Sequence, residues 1–71
     1  MNHLATSKED ILAASRDLIK ENGWAAVSIR AVASRCSVSA GTIYNYYESK
    51  ADLLSDTIES IWHEILSLIH I

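Results

Sequence analysis

The chain has no proline, only two glycines and a single cysteine among its 71 residues. With no proline to remove an amide or break a helix, it reads as helices joined by tight turns. The one cysteine, Cys36, forms no internal disulfide, and no group of histidine and cysteine has the spacing of metal ligands. The usual staples of a very small domain are thereby excluded. At 71 residues and 49% hydrophobic positions, the chain suffices for one domain near the lower size limit of a self-sufficient core, with no second domain. Further stability is expected from a partner surface. No stretch approaches the roughly 20 apolar residues of a membrane span. The opening MNHLATSKED also lacks the apolar run of a signal peptide. A cytoplasmic protein without membrane association is expected.

Positive charge is scarce too: six Lys and Arg against nine Asp and Glu give a net charge of −3. Taken whole, that balance argues against a nucleic-acid partner, whose phosphates must be neutralised. Its distribution is uneven, however. Residues 28 to 50 hold Arg30, Arg35 and Lys50 against Glu48 alone, whereas residues 51 to 71 hold Asp52, Asp56, Glu59 and Glu64 with no Lys or Arg. The middle of the chain is basic and its end acidic, which is compatible with one DNA-facing surface.

Periodicity predicts four helices. Ile11, Leu12, Ser15, Leu18 and Ile19 recur with a period near 3.6. Ser7 is placed to cap this first helix with Asp10 three residues on, and Asn22-Gly23 is placed to end it through a left-handed glycine, giving a helix over about 8 to 22. Trp24 is expected to fold back onto it as core. Ser28 precedes Ile29, Val32, Ala33 and Cys36, one face of a helix over about 29 to 35. After the break Ser37-Val38-Ser39, Ser39 caps a third helix over about 40 to 46, with Ile43 and Tyr47 facing the core and Val38 anchoring the turn. Ser49 and Asp52 start a long fourth helix with Leu54, Ile58, Ile61, Ile65 and Leu68 as its apolar stripe and Trp62, Leu66 and Ile69 beside them. That stripe exceeds what three short helices cover, and no stop signal precedes Ile71, so a truncated chain or a missing partner surface is expected.

Two short helices joined by about four residues, the second bearing small and hydroxylated side chains, are the layout of a helix-turn-helix. Opposite Ile43 and Tyr47, the third helix offers Ala40, Gly41, Thr42, Asn45 and Tyr46. Ala40 and Gly41 keep the leading end slim enough for close approach to base edges. Asn45 has the chemistry to pair with adenine, and Ala40 to touch a thymine methyl. Ser28, Ser39, Thr42, Tyr44, Tyr46 and Lys50 supply the hydroxyl, amide and ammonium groups that bind phosphate oxygens. Arg30, in the first turn of helix two, has the reach for a phosphate or a guanine edge.

The stretch SIRAVASRCSVSAGTIYNYYESKADLL resembles the signature of the tetracycline-repressor (TetR) family. There an S/T-x-R-x-[IV]-A helix leads to a G-V-S-x-G-T-[LI]-Y-x-[YH]-F reading helix and then an x-x-K-x-x-L helix start. The preceding ILAASRDLIKENGWAAVS is similar to the family's first helix and turn, so the resemblance covers about residues 9 to 54. It implies an all-α, homeodomain-like fold: a flexible arm over residues 1–7, a three-helix DNA-binding head over 8–48, and the start of a long fourth helix over 49–71. By position it implies phosphate contacts at Ser28, Ser39, Thr42, Tyr44, Tyr46 and Lys50 and base-facing roles for Arg30, Ala40, Gly41 and Asn45. It further implies a double-stranded, palindromic operator, a homodimer, and a small-molecule inducer bound by a C-terminal domain absent from these residues, with helix four as the connector. A lone head is then expected to bind DNA poorly.

Two departures stand out. Ser37 occupies a turn position where the family commonly has glycine, and Tyr47 replaces the usual phenylalanine, so its hydroxyl needs a partner or a path to solvent. The histidines His3, His63 and His70 are too far apart for a metal pair, Cys36 reads as a small core residue, and no cofactor is implied. No nucleophile elbow, phosphate loop or supported carboxylate pair is present, so no enzyme is expected. The rival reading is a helical protein-interaction module that uses helix four and binds no DNA.

Overall fold

The computed structural model describes residues 7–69, with side chains to residue 68. The expected N-terminal arm lies, apart from Ser7, outside the described residues, as do His3, His70 and the end of the chain at Ile71. Four helices follow one another, and no strand occurs among the described residues: α1 (Lys8–Asn22), α2 (Ile29–Cys36), α3 (Ala40–Tyr44) and α4 (Lys50–Ile69). Helix α1 packs against α2 and α4, and α2 carries α3.

The helix starts follow the serines. Ser7 and Asp10 form a complete capping box: Asp10 N donates to Ser7 Oγ at 3.2 Å and Ser7 N to Asp10 Oδ2 at 3.3 Å. Ser28, Ser39 and Ser49 each accept from the amide three residues on, namely Ala31, Thr42 and Asp52. Each such cap satisfies one otherwise orphaned amide and contributes roughly 1 kcal/mol. Gly23 ends α1 with φ 88° but ψ 175°, so its φ is positive as expected while the conformation is not the left-handed helical one.

Helix α2 ends at Ser37, whose φ of 61° and ψ of 39° are left-handed helical. Ser37 N donates to Ser34 O and Val38 N to Ala33 O, the paired closure of a Schellman motif, which turns Val38 toward the core. Helix α3 is shorter than the expected 40 to 46. After Tyr44 the amides of Asn45 and Tyr46 reach back three residues, to Thr42 O and Ile43 O, tightening the end into a turn. A helix this short has no stability of its own. Its orientation comes from Ile43, which is fully buried, a change worth about 1.5–3 kcal/mol.

The core comprises Ile11, Ala14 and Leu18 of α1, Val27, Ile29, Val32 and Ala33 at and in α2, Ile43, Tyr47 and Leu53. Cys36 is half-buried against it, where burial raises its thiol pKa. Two expectations require correction. Trp24 is not core but 48% exposed: it opens a 3₁₀ turn (Trp24–Ala26) that delivers Val27 to the interior in its place.

The apolar stripe of α4 is left uncovered beyond Ile61, as its excess implied, but before that residue the inward face is not that stripe either. Leu53 and Thr57 are fully buried, Leu54 and Ile61 only partly, and Ile58, Trp62, Ile65, Leu66 and Leu68 are exposed. The buried row is set about 100° round the helix from the apolar one. The cause is the polar face that α1 presents: Thr57 Oγ1 lies 3.0 Å from Ser15 Oγ, both side chains fully buried, and donates to Leu53 O at 2.7 Å. One turn on, Arg16 Nη1 donates to Ser60 Oγ at 2.8 Å.

Candidate nucleic-acid interface

Every residue singled out as a DNA contact lies at the N-terminal end of α2, on α3 or its cap, in the turn after it, or at the first position of α4. Ser28 caps α2 and is half-buried, while Arg30 is exposed in the first turn. Ser39 is exposed; its Oγ accepts from Thr42 N and lies 3.3 Å from Thr42 Oγ1. Lys50 is exposed as the first residue of α4. The sequence-predicted set is thus carried by the α2–turn–α3 corner and the short link to α4.

The directions around α3 follow from its geometry. At roughly 100° per residue, Gly41 and Asn45 fall about 160° from the buried Ile43 and face away from the core. Both are exposed. Ala40 is half-buried against the core, so only part of its methyl faces outward. Tyr44 is 53% and Tyr46 39% exposed, large aromatic rings held at the surface. A Cβ added to Gly41 would meet nothing nearer than Ser39 Oγ at 3.6 Å, an ordinary contact. Gly41 has no positive φ, and nothing inside the protein requires the missing side chain.

Arg35, counted above in the basic surplus, is bound bidentately by Glu21 at 2.6 and 2.7 Å, tying the end of α2 to the end of α1. This hydrogen bond lowers the Glu21 pKa and raises that of Arg35. Arg30 and Lys50, by contrast, make no ion pair with another described residue. An open groove of about 430 Å³ between α1 and α4 is lined by Glu9, Asp56, Glu59 and Glu64 together with Arg16 and His63. Tyr46 lines a second open groove with Glu48, Asp52, Asp56 and Glu59, so acid reaches the link after α3, and Arg30 and Lys50 are exposed cations of the helix-turn-helix region. No cluster able to hold a metal ion occurs among the described residues.

Sequence reasoning missed two residues bearing on this region. Tyr47 finds its hydroxyl partner in Asp56, at 2.5 Å, and Lys8 lies beside both, its Nζ 4.0 Å from Asp56 Oδ2 and 5.4 Å from the Tyr47 ring centre. Burial, then the bond to Asp56, raises the Tyr47 pKa well above its ordinary 10.0. Tyr47 itself signalled a missing partner. Nothing in the sequence pointed to residues 9 and 39 positions away.

Residues 11–57 match the tetR family of bacterial regulatory proteins. Among curated proteins, the HTH-type transcriptional regulator UidR of Escherichia coli K12 is 38% identical over 48 residues, covering 68% of this chain and 24% of that protein. The HTH-type transcriptional repressor KstR of Rhodococcus jostii is 45% identical over 47 residues, covering 66% and 22% respectively. YdeS of Bacillus subtilis, an HTH-type transcriptional regulator, is 40% identical over 50 residues, covering 70% and 25%. The chain thus spans about a quarter of the length of the curated relatives it matches. No match was found among solved structures. With the family's segment running from the buried Ile11 of α1 through the helix-turn-helix to the buried Thr57 of α4, this chain belongs to the tetR family of bacterial regulatory proteins.

Proposed function

We propose that this chain is the DNA-reading head of a bacterial transcriptional regulator, most simply a repressor, and that α3 enters the major groove of a palindromic operator. In this reading Gly41, Asn45, Arg30 and the outward part of Ala40 face base edges. Ser28, Ser39, Thr42, Tyr44, Tyr46 and Lys50 hold phosphates on either side. The complete regulator acts in the cytoplasm as a homodimer, its two heads one or more helical turns apart, and takes its small-molecule inducer through a domain reached by α4. The arm, head and connector divide at residues 7 and 49. None of this requires a cofactor or catalysis.

The observation that carries the reading is Gly41. A glycine inside a helix forgoes about 0.5–1 kcal/mol relative to alanine, and here no internal contact demands it. A slim position on the most outward line of a surface helix, in a helix-turn-helix region with exposed tyrosines and cations, suits close approach of a partner's backbone or base edge.

The test is selection from a random DNA pool with two copies of the chain joined in tandem. Enrichment of paired half-sites is expected, with binding weakened by salt and by Thr42→Ala or Tyr44→Phe. Failure to enrich any half-site would overturn the proposal. Salt-independent association abolished by Ile65→Asp would instead support the interaction-module reading.

A further inference from the structure

Helix α3 rests on α2, and α4 rests on α1, so the reading helix and the connector belong to different helix pairs. Only residues 45 to 49 join them. Tyr46 and Lys50, two of the proposed phosphate contacts, lie within and just beyond that short link. Their placement on a phosphate backbone depends on what holds it.

Tyr47 anchors it at its midpoint. The Tyr47 ring is inserted in the core at 5% exposure, and its hydroxyl donates to Asp56 Oδ2, in the second turn of α4, at 2.5 Å. Lys8, in the first turn of α1, sets its Nζ 4.0 Å from the same oxygen and 5.4 Å from the Tyr47 ring centre. The start of α1, the link after α3 and the body of α4 therefore meet in one knot. A hydrogen bond to a carboxylate is short, directional and stronger than a neutral one, whereas the longer Lys8–Asp56 pair, with its lysine mostly exposed, adds little by itself. Direction is what a phenylalanine ring in the same pocket would lack.

We propose that Tyr47, Asp56 and Lys8 form a latch that fixes the α3–α4 link, with Tyr47 the positioning residue that presents Tyr46 and Lys50 to DNA in a single geometry. The DNA part of this inference rests on the function proposed above. The latch itself is a property of the free protein.

Tyr47→Phe is the decisive variant because it keeps the ring, the core volume and every charge. In the tandem chain, on DNA selected by the wild type and at a temperature where circular dichroism shows all variants fully folded, it should weaken binding about five- to tenfold, the scale of one ordinary intramolecular hydrogen bond. Asp56→Asn, whose amide oxygen still accepts from Tyr47, should keep most of the affinity. Tyr47→Phe combined with Asp56→Ala should lose no more than Tyr47→Phe alone. In the free chain, Tyr47→Phe should speed amide hydrogen exchange across residues 45 to 49 and leave α2 unchanged. A lower melting temperature with unchanged affinity and unchanged or uniformly raised exchange would overturn the latch. If the wild type selects no DNA, the proposed function falls while the exchange measurement still decides the latch.

Discussion

Replacing Ser37 by glycine should stabilise the head, and the size of the effect follows from a single backbone angle. Ser37 sits at φ 61° and ψ 39°, where a side chain crowds the following carbonyl and costs roughly 1–2 kcal/mol. Glycine escapes that cost but brings a more disordered unfolded chain, worth about 0.4–1 kcal/mol in the opposite direction. Neither closing hydrogen bond, Ser37 N to Ser34 O or Val38 N to Ala33 O, involves the side chain, which is exposed. The balance is a net gain of about 0.5–1 kcal/mol, which in a domain of this size raises the melting temperature by about 3–6 °C. Thermal unfolding followed by circular dichroism measures it. Ser37→Ala is the control, since it retains the Cβ and should gain nothing. A Ser37→Gly protein that melts at or below the wild-type temperature would refute the reasoning.

Gly41→Ala should leave the melting temperature unchanged or raise it, because the new Cβ meets only an ordinary contact, yet should weaken selected DNA at least about tenfold; equal affinity would remove the main support for α3 as the reading element. With Arg35 engaged by Glu21, only Arg30 and Lys50 are left among the mid-chain cations to neutralise phosphates, so binding should fall with log salt with a slope of about −1.8 per head. A slope of about −2.7, in a titration from low to moderate salt, would mean that the Arg35 pair opens on DNA. The raised pKa of Tyr47 means that its protonated form contributes stability fully present below pH 10.0 and lost as pH rises through the higher folded-state value. Urea unfolding at pH 8 and pH 11 should therefore show the stability advantage of the wild type over Tyr47→Phe shrinking at the higher pH; a constant difference would count against the Tyr47–Asp56 bond.

Much of this head was legible because its signals are local. A serine before an apolar period fixes a helix start through one side chain and the amide three residues on, and all four starts follow that rule. The left-handed Ser37 followed from the glycine that the resembled family commonly has at that turn position. Trp24 was misplaced because hydrophobicity ranks it above Val27, whereas a 3₁₀ turn admits only one of the two to the interior, and the fully buried one is Val27. The face of α4 was misjudged for a related reason: Thr57 and Ser60 read as polar, yet they meet Ser15 and Arg16 of a helix more than 40 residues earlier. Among the proposed contacts, Gly41, Asn45 and Tyr46 were placed on the surface by their spacing from Ile43, while the partial burial of Ala40 was not foreseeable, nor was the engagement of Arg35 by Glu21.

By itself, the sequence determined the four helices, their caps, the inward direction of Ile43 and Tyr47, and the pattern that marks the family. These rest on hydrogen bonds and periodicities that span three or four residues. Tertiary structure decided which face of α4 is buried, that Arg35 pairs with Glu21, and that Tyr47 is held by Asp56 and Lys8. Such contacts depend on how helices cross, and a crossing is fixed only when distant side chains compete for the same space and the same hydrogen-bond partners.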